Sequence, residues 1–320
     1  IFIHSLIGSE ISEVKAMVMF GAPVVLYLHD YSTCCVQYNL LRNDEVYCGD
    51  ACLEKSKCSK CKYFNFSLKL KSNILKLVSN IENIVIVAPS AICAELWIDA
   101  YPEFREKVSV IPHQKPINSY LGNNKLLNKV DSIKIAFVGN GIKIKGWNVW
   151  KEAIEKVNKE KLQLYHFGKV STSLDGVTNI SVSIQKDGRD AMIKALRKYE
   201  IDVAILFSEW PETYSYTYYE CLASNCYVIT CDLSGNIAYE VKKNNNGSVI
   251  EYTADSLANI IQDEFKLKKL INEYRGRKHY SPQSFKMNYD YINFLDFKRR
   301  DYKNIQIGTD EFVSASICNL

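Results

Sequence analysis

The stretch WPETYSYTYYECLASN, Trp210 to Asn225, places Glu212 and Glu220 on either side of four tyrosines, between the apolar runs DVAILFS and CYVITCD. Apolar runs of that length bounded by turn residues read as buried strands. Between them Tyr216, Glu220 and Ala223 fall along one helical stripe, so the motif is a strand, a turn, a helix and a second strand. At such a helix start the amides of Tyr214 to Thr217 lack intrahelical partners and form an anion site that favours phosphate. Glu212 stands just before the helix. Glu220, one turn after Tyr216, can accept hydrogen bonds from a diol on the other side of the same ligand. That arrangement suits a nucleotide sugar. Taken alone, two acidic residues eight apart are more often a solvated pair on a helix surface, so the surroundings decide.

Outward from this motif the same alternation repeats. The second block opens with the strand IKIAFVGN, then the helix GWNVWKEAIEKVN with apolar residues at helical spacing, the strand LQLYHFG, the helix RDAMIKALRKY and the strand DVAILFS; after the motif come CYVITCD and the helix SLANIIQDEF. An earlier block runs IFIHSL, SEISEVKAMVMFG, PVVLYLHD, a cysteine-bearing loop, helices near Ser67 to Ser79 and Ala94 to Ala100 on either side of IVIVAPS, and VSVIPH. Continuous apolar strands with helices between them predict parallel sheets covered on both faces. The polar segment Gln114 to Ser132 reads as a linker. Two Rossmann-like blocks invite a ligand into the cleft at the carboxyl ends of their strands.

With 47% apolar and 24% charged residues, the 320-residue chain supports folded domains rather than disorder. Lys and Arg number 40 against 36 Asp and Glu, too even a balance to argue for nucleic acid. No apolar run approaches the ~18 residues of a membrane span, and IFIHSLIG lacks the basic leader of a signal peptide. The cysteine count, eleven, is odd, and Cys93, Cys221 and Cys226 sit singly in apolar segments. Free cysteines used as small hydrophobes favour a reducing, cytoplasmic setting, in which the sequons NFS, NIS and NGS are chance triplets. The basic stretch Lys69 to Lys76 reads either as a solvated helix face or as a surface steering a lipid-linked acceptor at the inner membrane.

WPETYSYTYYECLASNCYVIT resembles the nucleotide-binding segment of family 4 glycosyltransferases, in which a Glu-x7-Glu helix is followed by a small-residue turn and a strand. The family's usual glycine is Asn225 here, and asparagine accepts the left-handed conformation of a helix end. FVGNGIKIKGWNVWKEA resembles the family's Gly-Arg-x4-Lys-Gly segment that grips the donor diphosphate. Lys145 and Gly146 match, while Asn140 stands in place of the arginine and removes its bidentate clamp. That change either weakens donor binding or leaves Lys143 and Lys145 to share the role. The triplet His29-Asp30-Tyr31 resembles the sugar-polymer branch of the family, and Pro89-Ser90, DLSGNIAYEV and NNNGSVI resemble its later turns.

The resemblance covers about Ile1 to Leu295 and implies an α/β protein of the GT-B type, two Rossmann-like domains facing a cleft, the first incomplete. Residues 1–115 would form the acceptor-side domain with a cysteine-rich loop at 34–61, residues 131–280 the nucleotide-sugar domain, and 281–320 a C-terminal helix and tail. The family's first domain has further strands ahead of the one opening this chain, which is then either a fragment or a short version with a sheet edge needing cover. The implied activity is transfer of a hexose from a nucleotide diphosphate to a glycan or lipid-linked hydroxyl, with retention, in polysaccharide or glycoconjugate synthesis and without a catalytic metal. Glu212, His29 and Lys145 would be catalytic, with Gly139, Asn140, Lys145, Thr213, Tyr214, Ser215, Tyr216, Thr217 and Glu220 holding the donor. Lys145 and the helix start would offset charge growing on the diphosphate, and Glu212 that on the sugar. A catalytically silent nucleotide-sugar or glycan-binding module is the alternative, motivated by Asn140 and the short first block. His29 alone also fits a structural histidine. Cys48, Cys52, Cys58 and Cys61, spaced C-x3-C-x5-C-x2-C, are read as a structural zinc site or as free thiols.

Overall fold

Each apolar run identified above becomes a strand, and in the central strands alternate residues enter different cores. The computed structural model describes residues 1–18, 21–49, 58–121, 126–169, 173–277 and 280–295. The first half contains β1 (Phe2–Ile3), α1 (Ile11–Val18), β2 (Val24–Tyr27), the short hairpin β3 (Leu41–Arg42) and β4 (Val46–Tyr47), α2 (Phe64–Ser79), β5 (Ile84–Ala88), α3 (Ala91–Ala100) and β6 (Val108–Val110). Its sheet has the order β1-β2-β5-β6 and is parallel throughout. Val24, Leu26, Ile84 and Ile86 point to the face covered by α2 and α3, and Val25, Tyr27 and Val87 to the other. Helix α3 starts earlier than its apolar spacing predicts, because the Ser90 hydroxyl caps it by accepting from the Cys93 amide at 3.2 Å.

The second half follows β7 (Gln114–Leu121). It comprises β8 (Ile133–Val138), α4 (Trp147–Glu155), β9 (Leu162–Phe167), β10 (Val177–Ile180), the short α5 (Ile184–Asp187), α6 (Ala191–Lys198), β11 (Val203–Leu206), α7 (Tyr216–Ala223), β12 (Tyr227–Cys231), α8 (Asn236–Asn244), β13 (Gly247–Ile250), α9 (Ala254–Gln262) and α10 (Glu264–Gly276). Its six strands, all parallel, lie in the order β10-β9-β8-β11-β12-β13. Strand residues alternate between two cores. Ile135, Phe137, Val203 and Ile205 join α4, α9 and α10; Ala136, Val138, Ala204 and Leu206 join α6, α7 and α8. The order reverses between β8 and β11, so the loops leaving these neighbours diverge and open a crevice at their carboxyl ends.

Where the sequence reads as a linker from Gln114 to Ser132, residues Gln114–Leu121 are a strand. β7 pairs antiparallel with β14 (Tyr280–Met287), from Met287 opposite Gln114 to Tyr280 opposite Leu121. The described part of the expected C-terminal helix is likewise this strand, followed by a 3-10 turn at Asp290–Leu295. Both strands carry a proline, Pro116 and Pro282, and neither has an apolar run. In a two-stranded ribbon every strand is an edge, which tolerates proline and hides the strand from a search for buried segments. The tail from residue 296 onward lies outside the described residues.

Asp202, just before β11, anchors the amino edge of this sheet. Its carboxylate accepts from the Lys134 amide at 2.9 Å and pairs with Arg275 at 2.9 Å, both side chains being buried. Asp202→Ala removes a buried carboxylate that pairs with the buried Arg275 and caps the Lys134 amide. It is expected to destabilise the fold by about 3–5 kcal/mol, read as a lower midpoint in urea unfolding.

Candidate functional site

The crevice is built by two loops that touch backbone to backbone. After β8 the chain passes Gly139 and Asn140, makes a 3-10 turn at Lys143–Lys145 and reaches Gly146 with φ of +83°. A β-carbon there would stand 2.0 Å from the Phe207 carbonyl oxygen, so only glycine permits the approach. The Glu209 amide donates to the Ile144 carbonyl at 3.1 Å and ties the same loops together. His166, fully buried, donates from Nε2 to the Gly139 carbonyl at 2.9 Å and fixes the start of the turn.

This contact brings Lys145 to Glu212. The ammonium stands 2.7 Å from Glu212 Oε1, and the Ser208 hydroxyl donates to the same oxygen. Glu212 is only 4% exposed, so the pair and the hydroxyl offset a desolvation that an isolated carboxylate would not tolerate. Behind it the Glu212 carbonyl accepts from the Asn236 amide at 3.0 Å. Lys143, which one of the two alternatives above paired with Lys145, donates to the Glu45 carbonyl at 3.4 Å. Asn140 accepts from the Lys169 amide at 3.3 Å.

Helix α7 starts where the spacing predicts. Ser215 is its N-cap, in extended conformation, and its hydroxyl accepts from the Tyr218 amide at 3.3 Å. Thr213 and Tyr214 reach the first half: the Thr213 hydroxyl donates to the His29 carbonyl at 2.6 Å, and Tyr214 to Gln114 Oε1 at 3.5 Å. Tyr216 is half exposed beside them. At the far end Asn225 has φ of +58°, the left-handed conformation inferred for it. Glu220 lies half-buried on α7, its pKa pushed up to about 7 by burial and then by Asp190. The carboxylate that would meet a diol is thus poised between neutral and charged.

His29, at the carboxyl end of β2, meets the second half through its backbone, while its ring belongs to a group that sequence reading missed. His4 and His113 flank it, at 2.9 and 3.3 Å between ring nitrogens. Their signal was available, since each follows a strand of the same sheet as His29 does. Ser208 was also missed, and nothing in its spacing marks it.

Of the four cysteines read as zinc ligands, Cys52 lies outside the described residues. Cys48 and Cys61 are free thiols. Among the described residues no group of three or more His, Cys, Asp or Glu side chains is placed to hold a metal ion. Burial pushes the Cys48 thiol up to about 12, and Cys35, Cys58 and Cys61 add to it, Cys35 standing outside the four that were read as ligands. Cys93, Cys221 and Cys226 are fully buried, as their apolar contexts imply. Among the described residues no helix is long and apolar enough to cross a membrane. A cavity of about 670 Å³ opens at the amino edge of the six-stranded sheet, beside Lys134, Arg197 and Asp202. It contains none of the residues gathered at the crevice.

No protein-family model matches the sequence, and comparison with curated protein sequences finds no relative. Solved structures do match. HepE of Anabaena, in complex with UDP, superposes with a TM-score of 0.52 at 14% identity, covering 86% of this chain and 72% of HepE. The chain has the GT-B fold. TarM gives a TM-score of 0.52 at 12% identity over 80% of this chain and 46% of its own. WaaG, a glycosyltransferase involved in lipopolysaccharide biosynthesis, gives 0.50 at 11% over 83% and 75%. At these identities the likeness establishes the GT-B fold, and the residues of the crevice must carry any reading of activity.

Two measurements probe the crevice. Gly146→Ala places a β-carbon against the Phe207 carbonyl in a left-handed conformation, and is expected to destabilise the fold by more than ~1 kcal/mol, read as a fall in Tm. Glu220 is neutral more readily in the fold than its ordinary value of 4.5 allows. Its contribution to stability is complete below pH 4.5 and is lost as pH rises through about 7. Glu220→Gln is expected to flatten the decline of Tm across that window, and an unchanged slope would contradict the assignment.

Proposed function

We propose that the protein is a glycosyltransferase that moves a sugar from a nucleotide diphosphate donor to a hydroxyl acceptor with retention of configuration. The observation that carries this reading is the Lys145–Glu212 pair at the switch point, beside the capped start of α7. A cation, a buried carboxylate and a helix N-terminus in one crevice match the needs of sugar transfer from a diphosphate. The leaving group gains negative charge while the anomeric carbon gains positive charge. Lys145 and the amides of Tyr214 to Thr217 would take the diphosphate, Glu212 the sugar hydroxyls and Glu220 the ribose diol. Gly139 gives the phosphates close access to backbone, and His29 lines the acceptor side. Residues 1–115 act as the acceptor half and 131–280 as the donor half in this scheme, and the described part of the last segment, up to Leu295, returns to the first. The acceptor is a glycan or a lipid-linked hydroxyl of polysaccharide or glycoconjugate synthesis, the donor binds without a catalytic metal, and the work is done in the cytoplasm. HepE is bound to UDP or UDP-glucose in its solved complexes, which makes uridine sugars the first donors to try.

The test is a thermal-shift screen of UDP, GDP, ADP and CMP sugars, followed by transfer assays with the donor that raises Tm most. Glu212→Gln is expected to remove transfer while the unliganded Tm changes little. Retained turnover in that variant would sink the proposal. A second reading, a nucleotide-sugar-binding module without turnover, is favoured by Asn140, whose side chain is occupied by the Lys169 amide and offers no cation. Calorimetric binding of a nucleotide sugar with neither hydrolysis nor transfer is its signature. Under the first reading Asn140→Arg tightens donor binding by supplying a bidentate phosphate contact.

A further inference from the structure

Three histidines from three different strand ends stand in line at the carboxyl edge of the first sheet. His4 follows β1, His29 follows β2 and His113 follows β6. His4 Nδ1 lies 2.9 Å from His29 Nε2, and His29 Nδ1 lies 3.3 Å from His113 Nε2. The rings are also stacked: Tyr27 packs parallel to His4 and His29, at 5.1 and 5.2 Å between centroids. His113 then meets Tyr214 at 4.9 Å and stacks on Tyr216 at 5.9 Å, both in the segment read as donor-binding. The line therefore runs from the exposed His4 to a buried ring against the α7 loop.

Both nitrogens of His29 are taken. A neutral imidazole carries one N–H and one lone pair, so both contacts are filled only when all three rings point their protons the same way. Either His113 donates to His29 and His29 to His4, or each bond is reversed. A proton added at one end is accommodated by shifting both shared protons and releasing one at the other end. Charge is not stored in the middle. His113 is held down to about 3 by burial and by His29 and His4; His29 is lowered by burial and by His4, with Asp30 opposing. The other titratable groups facing the line are Tyr27, Tyr214, Tyr216 and Tyr291, whose phenols burial keeps protonated.

We propose that His4, His29 and His113 are a proton relay that carries the acceptor hydroxyl's proton from the crevice to water. This rests on the transferase reading and adds a route for the proton that transfer must release. In the step, the acceptor oxygen bonds to the anomeric carbon. The bond from that carbon to the diphosphate oxygen breaks, and its electron pair stays on the diphosphate. The hydroxyl proton enters on the His113 nitrogen not shared with His29. Nε2–H of His113 passes to His29, Nε2–H of His29 passes to His4, and Nε2 of His4 gives its proton to water. The relay resets after the products leave, when water entering the crevice takes the proton from the outer nitrogen of His113, water at the other end returns one to Nε2 of His4, and the two shared protons shift back.

The test has two arms. Ring-¹⁵N histidine spectra of the unliganded protein read the line itself: three neutral, tautomerically ordered rings are expected. In His4→Gln the His29 ring signals shift, because an amide replaces the imidazole on its outer nitrogen, and the line loses the group that releases its proton to water. A His29 spectrum untouched by His4→Gln overturns the relay, whatever the protein transfers. In transfer assays with the donor selected by the screen above, His4→Gln is expected to lower kcat by roughly 10²-fold, the low end of general acid–base contributions. KM stays near the wild-type value, the solvent isotope effect grows, and added imidazole restores rate. Wild-type kcat and isotope effect in that variant overturn the proposal. Ordered spectra together with no transfer from any donor would count against the transferase reading, and with it against the relay's role in transfer.

Discussion

At the middle of the six-stranded sheet the loops leaving β8 and β11 meet with no side chain between them, Gly146 lying against the carbonyl of Phe207. That approach sets the distance from which Lys145 reaches Glu212. It is possible only because β8 and β11 are hydrogen-bonded neighbours although two strands separate them in the chain. A parallel sheet whose order reverses at this point forces diverging loops, and the glycine lets them close again at one spot. The crevice is therefore a product of topology first and of particular side chains second.

The electrostatics follow the same contact. Glu212 is buried with a lysine and a serine as its partners, an arrangement in which the lysine is the partner open to exchange, because its side chain is 34% exposed. Under the proposed function, a diphosphate would compete for Lys145 and the sugar hydroxyls would take up the place it left on Glu212. Hydrogen bonds exchanged in this way cost less than bonds broken outright, since no buried charge is left alone at any stage.

Much of this was legible in the sequence. The strands of both sheets were, apart from β10 and β13, because a strand buried on both faces is an apolar run whatever its neighbours; β10, an edge strand reading VTNI, has no such run, and β13 was marked only by the family resemblance of NNNGSVI. The α7 motif was too, since its glutamates, N-cap Ser215 and left-handed Asn225 are local features. What escaped was long-range. The β7–β14 ribbon joins polar segments some 165 residues apart in the chain, as the pairing of Lys115 with Lys286 and of Ile117 with Ser284 shows. The histidine line draws on three strand ends that no periodicity connects. Cysteine spacing left Cys35 out of the candidate set although its thiol lies among those near Cys48, because a hairpin folded between them brings distant positions together.

The β7–β14 ribbon also determines how the halves can move. The chain leaves the first half along β7 and returns along β14 to the turn at Asp290–Leu295. There Tyr291 packs edge-on against Tyr27 at 4.9 Å and against Phe2 at 5.7 Å, and Lys115 pairs with Asp290 at 2.6 Å. A single connecting strand could swivel freely. Two strands bonded side by side resist sliding and twisting in their own plane, where the hydrogen bonds lie, yet bend easily across it. A ribbon of this kind is softest to bending across its plane, so any parting of Thr213 from the His29 carbonyl would be guided by it as by a leaf spring.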